Sequence, residues 1–452
     1  MRTGLLRHPL EEWIDPADVF AALFSASETA FWLDSGMDAT NGHSHMGASS
    51  RVLEVAAGSR DVDVFGLLSA DLAARRLSLA DSESSGALGW VGWLGYELRG
   101  VTLGTPAGFE SRYPDAFFMF VDRCVSFDHK KGTVSLVAVG EEWSDDLSEW
   151  RDSVLESLSS LAAAAPAKVA SSNDEHPPRV SWRYTDSEYL AMIEACQAAI
   201  VDGDAYQLCL TTEVDVGVSP DPLETYLSLR EWSPAHHGAL IRAGDLSLLS
   251  ASPEQFLSVS RDGVIETKPI KGTRRRGATA SEDADLRVEL ETSDKERAEN
   301  LMIVDLSRND IAKVSEVGSV SVPSLLAVET YAHVHQLVST VRGQLIEGLT
   351  AVDAVAACFP AGSMTGAPKL SATQILESLE RRARGIYSGA FGVLGIDGSI
   401  DLAMVIRSIV IDPEGSTIGT GGGITALSVP AEELEEVRLK AAALLRVLGV
   451  EE

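Results

Sequence analysis

Short apolar runs set off by turns recur along this chain, without the strand–helix–strand alternation that a parallel sheet demands. AFWLDSG at Ala30–Gly36, GWVGWLGYEL at Gly89–Leu98 and VSLVAVG at Val134–Gly140 have strand length and composition, with helical patterns between them. Antiparallel sheets surrounded by helices, an α+β class, follow from that arrangement. One stretch breaks the pattern. Leu161–Ser181 reads LAAAAPAKVASSNDEHPPRVS, which is linker chemistry. It separates an N-terminal region, residues 1–165, from a better-patterned region, residues 180–452. The second region opens on Thr185-Asp186-Ser187-Glu188, a capping box, and Tyr189, Ile193, Cys196 and Ile200 follow at helical spacing up to Gly203.

Charge narrows the function. The 452 residues hold 67 Asp plus Glu against 37 Lys plus Arg, a net charge of −30. Nucleic acid and anionic membranes call for basic surface, so neither is an expected partner. No apolar run approaches the roughly 20 residues that span a bilayer. MRTGLLRHPLEEW at the N-terminus lacks a signal-peptide core. Cys124, Cys196, Cys209 and Cys358 are scattered with no CxxC spacing, so neither a disulfide framework nor a zinc site is signalled. A cytoplasmic enzyme is the expectation.

Polar-and-glycine strings concentrate in the second region. GDAYQLCLT, Gly203–Thr211, runs from a helix stop into a strand, where Gln207 is either a satisfied strand-end glutamine or a polar group turned into a cavity. Ser252-Pro253-Glu254-Gln255-Phe256 leads through an Asp262-Gly263 hairpin to Lys268-Pro269-Ile270-Lys271-Gly272-Thr273. The hairpin brings Glu254 and Lys271 near each other, as a cross-strand ion pair or as a general acid and a nucleophile. Arg274, Arg275 and Arg276 follow, a cationic run that suits an anionic ligand or a salt-bridged surface loop. Glu296 and Glu299 share a helix face; so do Glu433, Glu436 and Lys440 on a C-terminal helix that starts near Pro430. Such acids serve as helix-dipole partners, or two pairs together hold a hard divalent ion such as Mg²⁺. Three further strings suit an anion. FPAGSMTGAPK at Phe359–Lys369 is a glycine loop entering a helix, Arg407 stands at a strand end, and GTGGGI at Gly419–Ile424 admits a ligand to the backbone. No Walker loop or GxGxxG fingerprint occurs, so no nucleotide cofactor is indicated.

Taken in order, GDAYQLCLT, SPEQF, KPIKGT, RAENLMIVDLSRND, HQLVSTVRG, FPAGSMTGAPK, RGIYSGAFG, IRS, GTGGGI and the closing Glu433, Glu436, Lys440 spacing resemble the chorismate-utilising enzymes. That family includes anthranilate synthase component I, aminodeoxychorismate synthase component I, isochorismate synthase and salicylate synthase. The resemblance is strong over residues 185–450 and diffuse before the linker. It implies a Mg²⁺-dependent reaction on chorismate in a large two-lobed chorismate-binding fold, with antiparallel sheets packed together and surrounded by helices. Two positions sort the branches. Isochorismate and salicylate synthases carry a water-activating lysine where this chain has Gln207, which argues against water as the incoming group. Anthranilate synthases resemble PIAGT where this chain reads Pro269-Ile270-Lys271-Gly272-Thr273. A lysine in that slot is characteristic of aminodeoxychorismate synthases, where it acts as a covalent nucleophile.

By this resemblance Glu299 and Glu436, supported by Glu296 and Glu433, hold Mg²⁺ against chorismate's carboxylate. Lys271 attacks C2 as a free amine, which calls for a lowered pKa, while Glu254 protonates the departing C4 hydroxyl. Ammonia then adds at C4 and expels the lysine, giving 4-amino-4-deoxychorismate for 4-aminobenzoate and folate. Gln207, Thr365, Tyr387, Arg407, Gly421, Gly422, Gly423 and Lys440 are the implied substrate-binding residues. Anthranilate synthase component I, or another aminating relative, is the alternative. Many relatives have a histidine where Gln336 stands; His335, one residue earlier, points elsewhere on an extended strand and reads as structural or supporting. The N-terminal region of anthranilate synthases carries a tryptophan feedback pocket, whereas Trp90, Trp93 and Tyr96 here read as core packing. No cysteine sits in a glutaminase-type turn and no stretch is left over for such a domain. The expected nitrogen source is therefore a separate glutamine amidotransferase subunit, or free ammonia.

Overall fold

The structure, a computed structural model, describes residues 4–59, 61–77, 86–163, 178–331 and 334–450. Most of the linker read from composition, residues 164–177, lies outside the described residues. Two antiparallel sheets dominate, one of twelve strands and one of ten. Both draw strands from either side of the linker. Thr29–Asp34 pairs with His237–Ala243 in the larger sheet, and Gly89–Leu94 pairs with Ala390–Gly395 in the smaller. The compositional break thus separates two stretches of chain without separating two sheets. The α+β architecture is the one the strand pattern predicts.

The larger sheet is covered on both faces. Phe31, Ala239, Ile241 and Leu248 share a core with Trp93, Phe117 and Phe391 of the smaller sheet. Their chain neighbours Trp32, Leu240 and Leu249 pack instead with Phe20, Leu158, Leu229 and Leu444. Those four lie on the helices Pro16–Phe24, Asp145–Ala163, Pro222–Trp232 and Pro430–Val447. Successive side chains of a strand point to opposite faces, so a strand with a core on each side reads as an unbroken apolar run. Each large side chain buried this way contributes about 1.5–3 kcal/mol. Trp90, Trp93 and Tyr96 are all buried, and Trp93 stacks on Phe117 at 4.9 Å between centroids.

The helix Asp186–Val201 forms where the capping box predicts it. Glu188 N–H donates to the Thr185 hydroxyl and Thr185 N–H donates to the Glu188 carboxylate at 2.8 Å. Tyr189, Ile193 and Cys196 pack with Leu208, Leu376 and Val437 in a third core, while Ile200 sits at its edge. On the C-terminal helix Val437, Ala441 and Leu444 are buried and Leu434 packs at the margin. Among the described residues no helix is long and apolar enough to cross a membrane.

Candidate active site

The strand Ile270–Arg275 lies at one edge of the smaller sheet, paired with Val334–Gln344. Its register slips between Ile270 and Thr273, and Gly272 inside the slip takes φ +78. A bulge of this kind re-aims the side chain it carries, here Lys271. The Lys271 amine reaches a point 3.6 Å from where a Cβ on Gly423 would sit, and the Gln207 amide nitrogen would be 2.4 Å from the same point. Gly423 belongs to the strand Gly415–Ile424 of the larger sheet, where it pairs with Cys209 of Gln207–Val216. Glycine there leaves the space in which a residue of each sheet converges. Gln207 is 1% exposed, and its carbonyl oxygen has no hydrogen-bond partner among the described residues.

Glu254 stands just before the strand Gln255–Val259, beside a second register slip against Ile400–Met404. The hairpin through Asp262-Gly263 forms as predicted, with Gly263 at φ +79. Burial pushes the Glu254 carboxyl up, and the opposing pull of Lys271 and a Ser363 hydrogen bond does not cancel it. A raised carboxyl pKa favours the protonated form, which can donate to a leaving group. Lys271 behaves differently from the expectation of a lowered pKa. Burial alone would depress it, but Glu299, Cys209, Glu254 and Glu436 outweigh burial and hold it above its usual value. The carboxylates needed nearby are themselves the cause.

Four glutamates converge from two helices, Asp294–Ala312 and Pro430–Val447. Burial raises Glu299, with Glu296 and Glu433 adding to the rise and Lys271 and Lys295 opposing it. Burial would raise Glu436 too, yet Lys440, Lys295 and Lys271 hold it below its usual value. Lys295 donates to Glu433 at 3.3 Å, Ser428 donates to Glu433 at 2.7 Å, and Lys440 pairs with Glu436 at 2.7 Å. Among the described residues no three His, Cys, Asp or Glu side chains close on one point as a metal site. Lysines stand between the carboxylates instead, as their mutual repulsion requires. Hard, anionic oxygens paired for the most part with lysine amines, which an ion could replace, are a donor set that fits a hard divalent cation.

The remaining residues named from the sequence fall around this cleft. Lys440 also donates to the Gly421 carbonyl at 2.9 Å, and a Cβ on Gly422 would meet Glu433 at 3.3 Å. Tyr387 lays its ring so close over Gly419 that a Cβ there would be 2.1 Å from it. Thr365 is buried beside Gln207, its carbonyl accepting from Cys209 N–H at 2.9 Å. Arg407 takes φ +48, and burial, with no carboxylate offsetting it, lowers its pKa. Its guanidinium has no acceptor among the described residues.

Other sequence candidates lie beside the cleft, Arg274 bordering it through Glu296. Arg274 pairs with Glu289 at 2.9 Å and Glu296 at 3.5 Å, Arg275 with Glu282, and Arg276 with Asp283 at 2.8 Å. Of the two readings the salt-bridged one holds, with Arg274 and Arg275 on the strand Ile270–Arg275 rather than in a loop and the run's charge neutralised within the chain. His335 bonds Asp283 at 3.0 Å and Thr330 at 2.9 Å, bracing its strand against the helix Ala280–Thr292. Three contributors went unread in the sequence. Asn300 is fully buried and donates to the Pro269 and Leu337 carbonyls at 3.3 and 3.2 Å, tying the Lys271 strand to its helix. Ser363 reaches Glu254, and Cys209 lies under Lys271. The signal for Asn300 was a lone amide on the buried side of a helix beside Glu299.

A buried amine, a buried acid and two acidic helix faces between antiparallel sheets define an enzyme site for a small polar substrate. The chain belongs to the chorismate-binding enzymes, the family described as "chorismate binding enzyme" matching residues 28–446. It is 39% identical to an aminodeoxychorismate synthase of Streptomyces pristinaespiralis over 96% of this chain and 64% of that protein. It is 36% identical to anthranilate synthase component 1 of Mycobacterium tuberculosis over 83% of this chain and 76% of that one. Its fold is similar to the crystal structure of anthranilate synthase component I from Streptococcus pneumoniae TIGR4, with a TM-score of 0.77 and 29% identity. That likeness covers 91% of this chain and 93% of the other. The chain spans less than two thirds of the length of the aminodeoxychorismate synthases it matches.

Proposed function

We propose that this chain is the chorismate-aminating component of an aminodeoxychorismate synthase, a Mg²⁺-dependent transferase making 4-amino-4-deoxychorismate for 4-aminobenzoate and folate. The observation that carries the reading is Lys271. A buried amine, thrown by a bulge to the glycine strand and facing Glu254, is a nucleophile opposite an acid. The greater identity to the aminodeoxychorismate synthase than to the anthranilate synthase points the same way.

Glu299 and Glu436, with Glu296 and Glu433 behind them, are the residues to hold Mg²⁺. Bound there, the ion would take a substrate carboxylate oxygen, draw electron density from the ring and offset the carboxylate charges that hold Lys271 above its usual value. Arg407, whose guanidinium has no acceptor among the described residues, binds the other carboxylate, with Tyr387, Thr365 and the Gly421–Gly423 backbone beside it. Lys271 first gives its extra proton to the Glu254 carboxylate; the free amine then forms a bond to C2 as the C4 hydroxyl leaves as water with that proton of Glu254. Ammonia then bonds C4, the C2–Lys271 bond breaks, and Glu254 takes back a proton from the new ammonium.

All four cysteines are buried, and burial pushes Cys124, Cys196 and Cys358 up to about 12. None offers the accessible thiolate that glutamine hydrolysis needs. The nitrogen source in this reading is a glutamine amidotransferase acting with this chain, or free ammonia, and the free thiols support a cytoplasmic setting. The test is product identification with chorismate and Mg²⁺, first with ammonia and then with glutamine. Aminodeoxychorismate from ammonia alone supports the reading; anthranilate formed without an added lyase would replace it with the anthranilate branch.

A further inference from the structure

Three of the strings read from the sequence, GDAYQLCLT, FPAGSMTGAPK and RGIYSGAFG, meet at one buried side chain that has no part in the reaction above. Arg384, which opens the third string, is 3% exposed. Its Nε donates to one Glu380 carboxylate oxygen at 2.9 Å, and a terminal nitrogen donates to the other at 2.7 Å. That same nitrogen donates to the Cys209 carbonyl at 2.9 Å. The other terminal nitrogen donates to the Met364 carbonyl at 2.7 Å and, more weakly, to the Ser388 hydroxyl at 3.5 Å. A guanidinium carries five N–H groups in a fixed planar fork. These five bonds use all of them, so none is left for a substrate oxygen.

The two carbonyls belong to residues beside the substrate site. Cys209 is two residues past Gln207 on the strand Gln207–Val216, and Met364 immediately precedes Thr365. Cys209 N–H donates to the Thr365 carbonyl at 2.9 Å, so the guanidinium clamps the two segments where they already touch through their backbones. Arg384 is itself three residues before Tyr387, and Glu97 holds that backbone by accepting the Arg384 and Gly385 N–H groups, each at 2.8 Å. Glu380 ends the helix Lys369–Glu380 and accepts the Thr211 N–H at 2.9 Å and the Thr211 hydroxyl at 3.0 Å. Stability is a weak account of this node, because desolvation offsets most of the attraction in a buried ion pair. What a planar fork with every donor satisfied supplies is position.

We propose that Arg384 is a positioning residue for the substrate: through the Cys209 and Met364 carbonyls it sets the spacing of Gln207, Thr365 and Tyr387. The proposal rests on the reading above of those three as substrate-binding residues, and it needs no contact between Arg384 and chorismate. A substituted ring that spans the three side chains depends on their spacing. Ammonia, with a single heavy atom, does not bridge them. Disturbing the node should therefore act on one substrate and spare the other.

The test compares Arg384→Met, Arg384→Lys and the double variant Arg384→Met with Glu380→Gln against the parent, in the whole chain with chorismate, Mg²⁺ and ammonium salts, at a temperature below each variant's Tm. Arg384→Met should raise KM for chorismate about tenfold or more and leave KM for ammonium within about twofold. Arg384→Lys keeps the charge without the fork, and should give a smaller rise of the same kind. The double variant leaves no unpaired buried carboxylate and replaces the single one if that does not fold. An arginine that serves the fold alone would change the active fraction, and so kcat, with both KM values unchanged. That result in a folded variant overturns the proposal, as does a rise of both KM values in step or loss of the fold in all three. A parent chain that makes no aminated product overturns the reading beneath it, and that failure shows before any substitution is compared.

Discussion

Replacing Arg407 with glycine should weaken substrate binding and stabilise the protein at the same time. Arg407 sits at φ +48, a left-handed conformation that costs a side-chain-bearing residue about 1–2 kcal/mol. Glycine removes that cost, but a looser unfolded chain takes back about 0.4–1 kcal/mol. The net gain is about 0.5–1 kcal/mol before any credit for removing a guanidinium that is desolvated and has no partner among the described residues. For a chain of this size the gain appears as a rise in Tm on the order of 1 °C. Binding moves the other way. A bidentate contact to a carboxylate is two charge-assisted bonds of about 1.5–3 kcal/mol each. Losing both should raise KM for chorismate about 10²–10⁴-fold. Thermal unfolding without substrate, and initial rates over a chorismate series at saturating ammonium, read the two effects separately. A lowered Tm would mean that the guanidinium has a stabilising partner; an unchanged KM would remove Arg407 from the substrate site. Either result refutes the reasoning.

Lys271→Ala should cut kcat about 10³-fold or more, roughly 4 kcal/mol of barrier, and full aminodeoxychorismate formation by that variant would end the covalent route. Gly423→Ala drives a methyl to within 2.4 Å of the Gln207 amide and 3.6 Å of the Lys271 amine. Its kcat should fall while Tm changes little, and wild-type kinetics would show that the two groups do not meet at that point. Glu97 accepts the Arg384 and Gly385 N–H groups at 2.8 Å, and burial raises its pKa from 4.5 to about 7. A raised folded-state pKa contributes stability that is complete below the unfolded value and is lost as pH rises through the folded one. The Tm advantage of the parent over Glu97→Gln should therefore shrink between about pH 4.5 and pH 7 and level off above; a difference independent of pH would place the titration elsewhere.

Local order was legible from residues a few positions apart. The capping box at Thr185–Glu188, the Asp262-Gly263 hairpin and the C-terminal stripe of Val437, Ala441 and Leu444 are set by period and by hydrogen bonds within a turn, and each is present. The α+β class came from the spacing of apolar runs, and the ordered strings carried the family. Within KPIKGT, a single letter, Lys271, carried the branch. Even the unbroken apolar strands were correctly read as strands, because two covered faces erase the polar alternation without changing length or turns.

Tertiary structure decided everything that depends on which distant groups become neighbours. Arg274–Arg276 looked available for an anion until the helix Ala280–Thr292 supplied Glu282, Asp283 and Glu289 to pair with them. Lys271 looked in need of a low pKa, and the carboxylates gathered around it hold it high instead. Lys295 and Glu433 are 138 residues apart and form one ion pair. The linker at 161–181 looked like a boundary, while strands from both sides of it hydrogen-bond in the same two sheets. Charge, burial and strand pairing act through space, with a range of a few ångströms that takes no account of sequence separation. The sequence therefore specified what this chain is made to fold into and which residues are chemically able to act. Only the folded sheets determined which of those residues share a cleft, and what electrical state each is held in there.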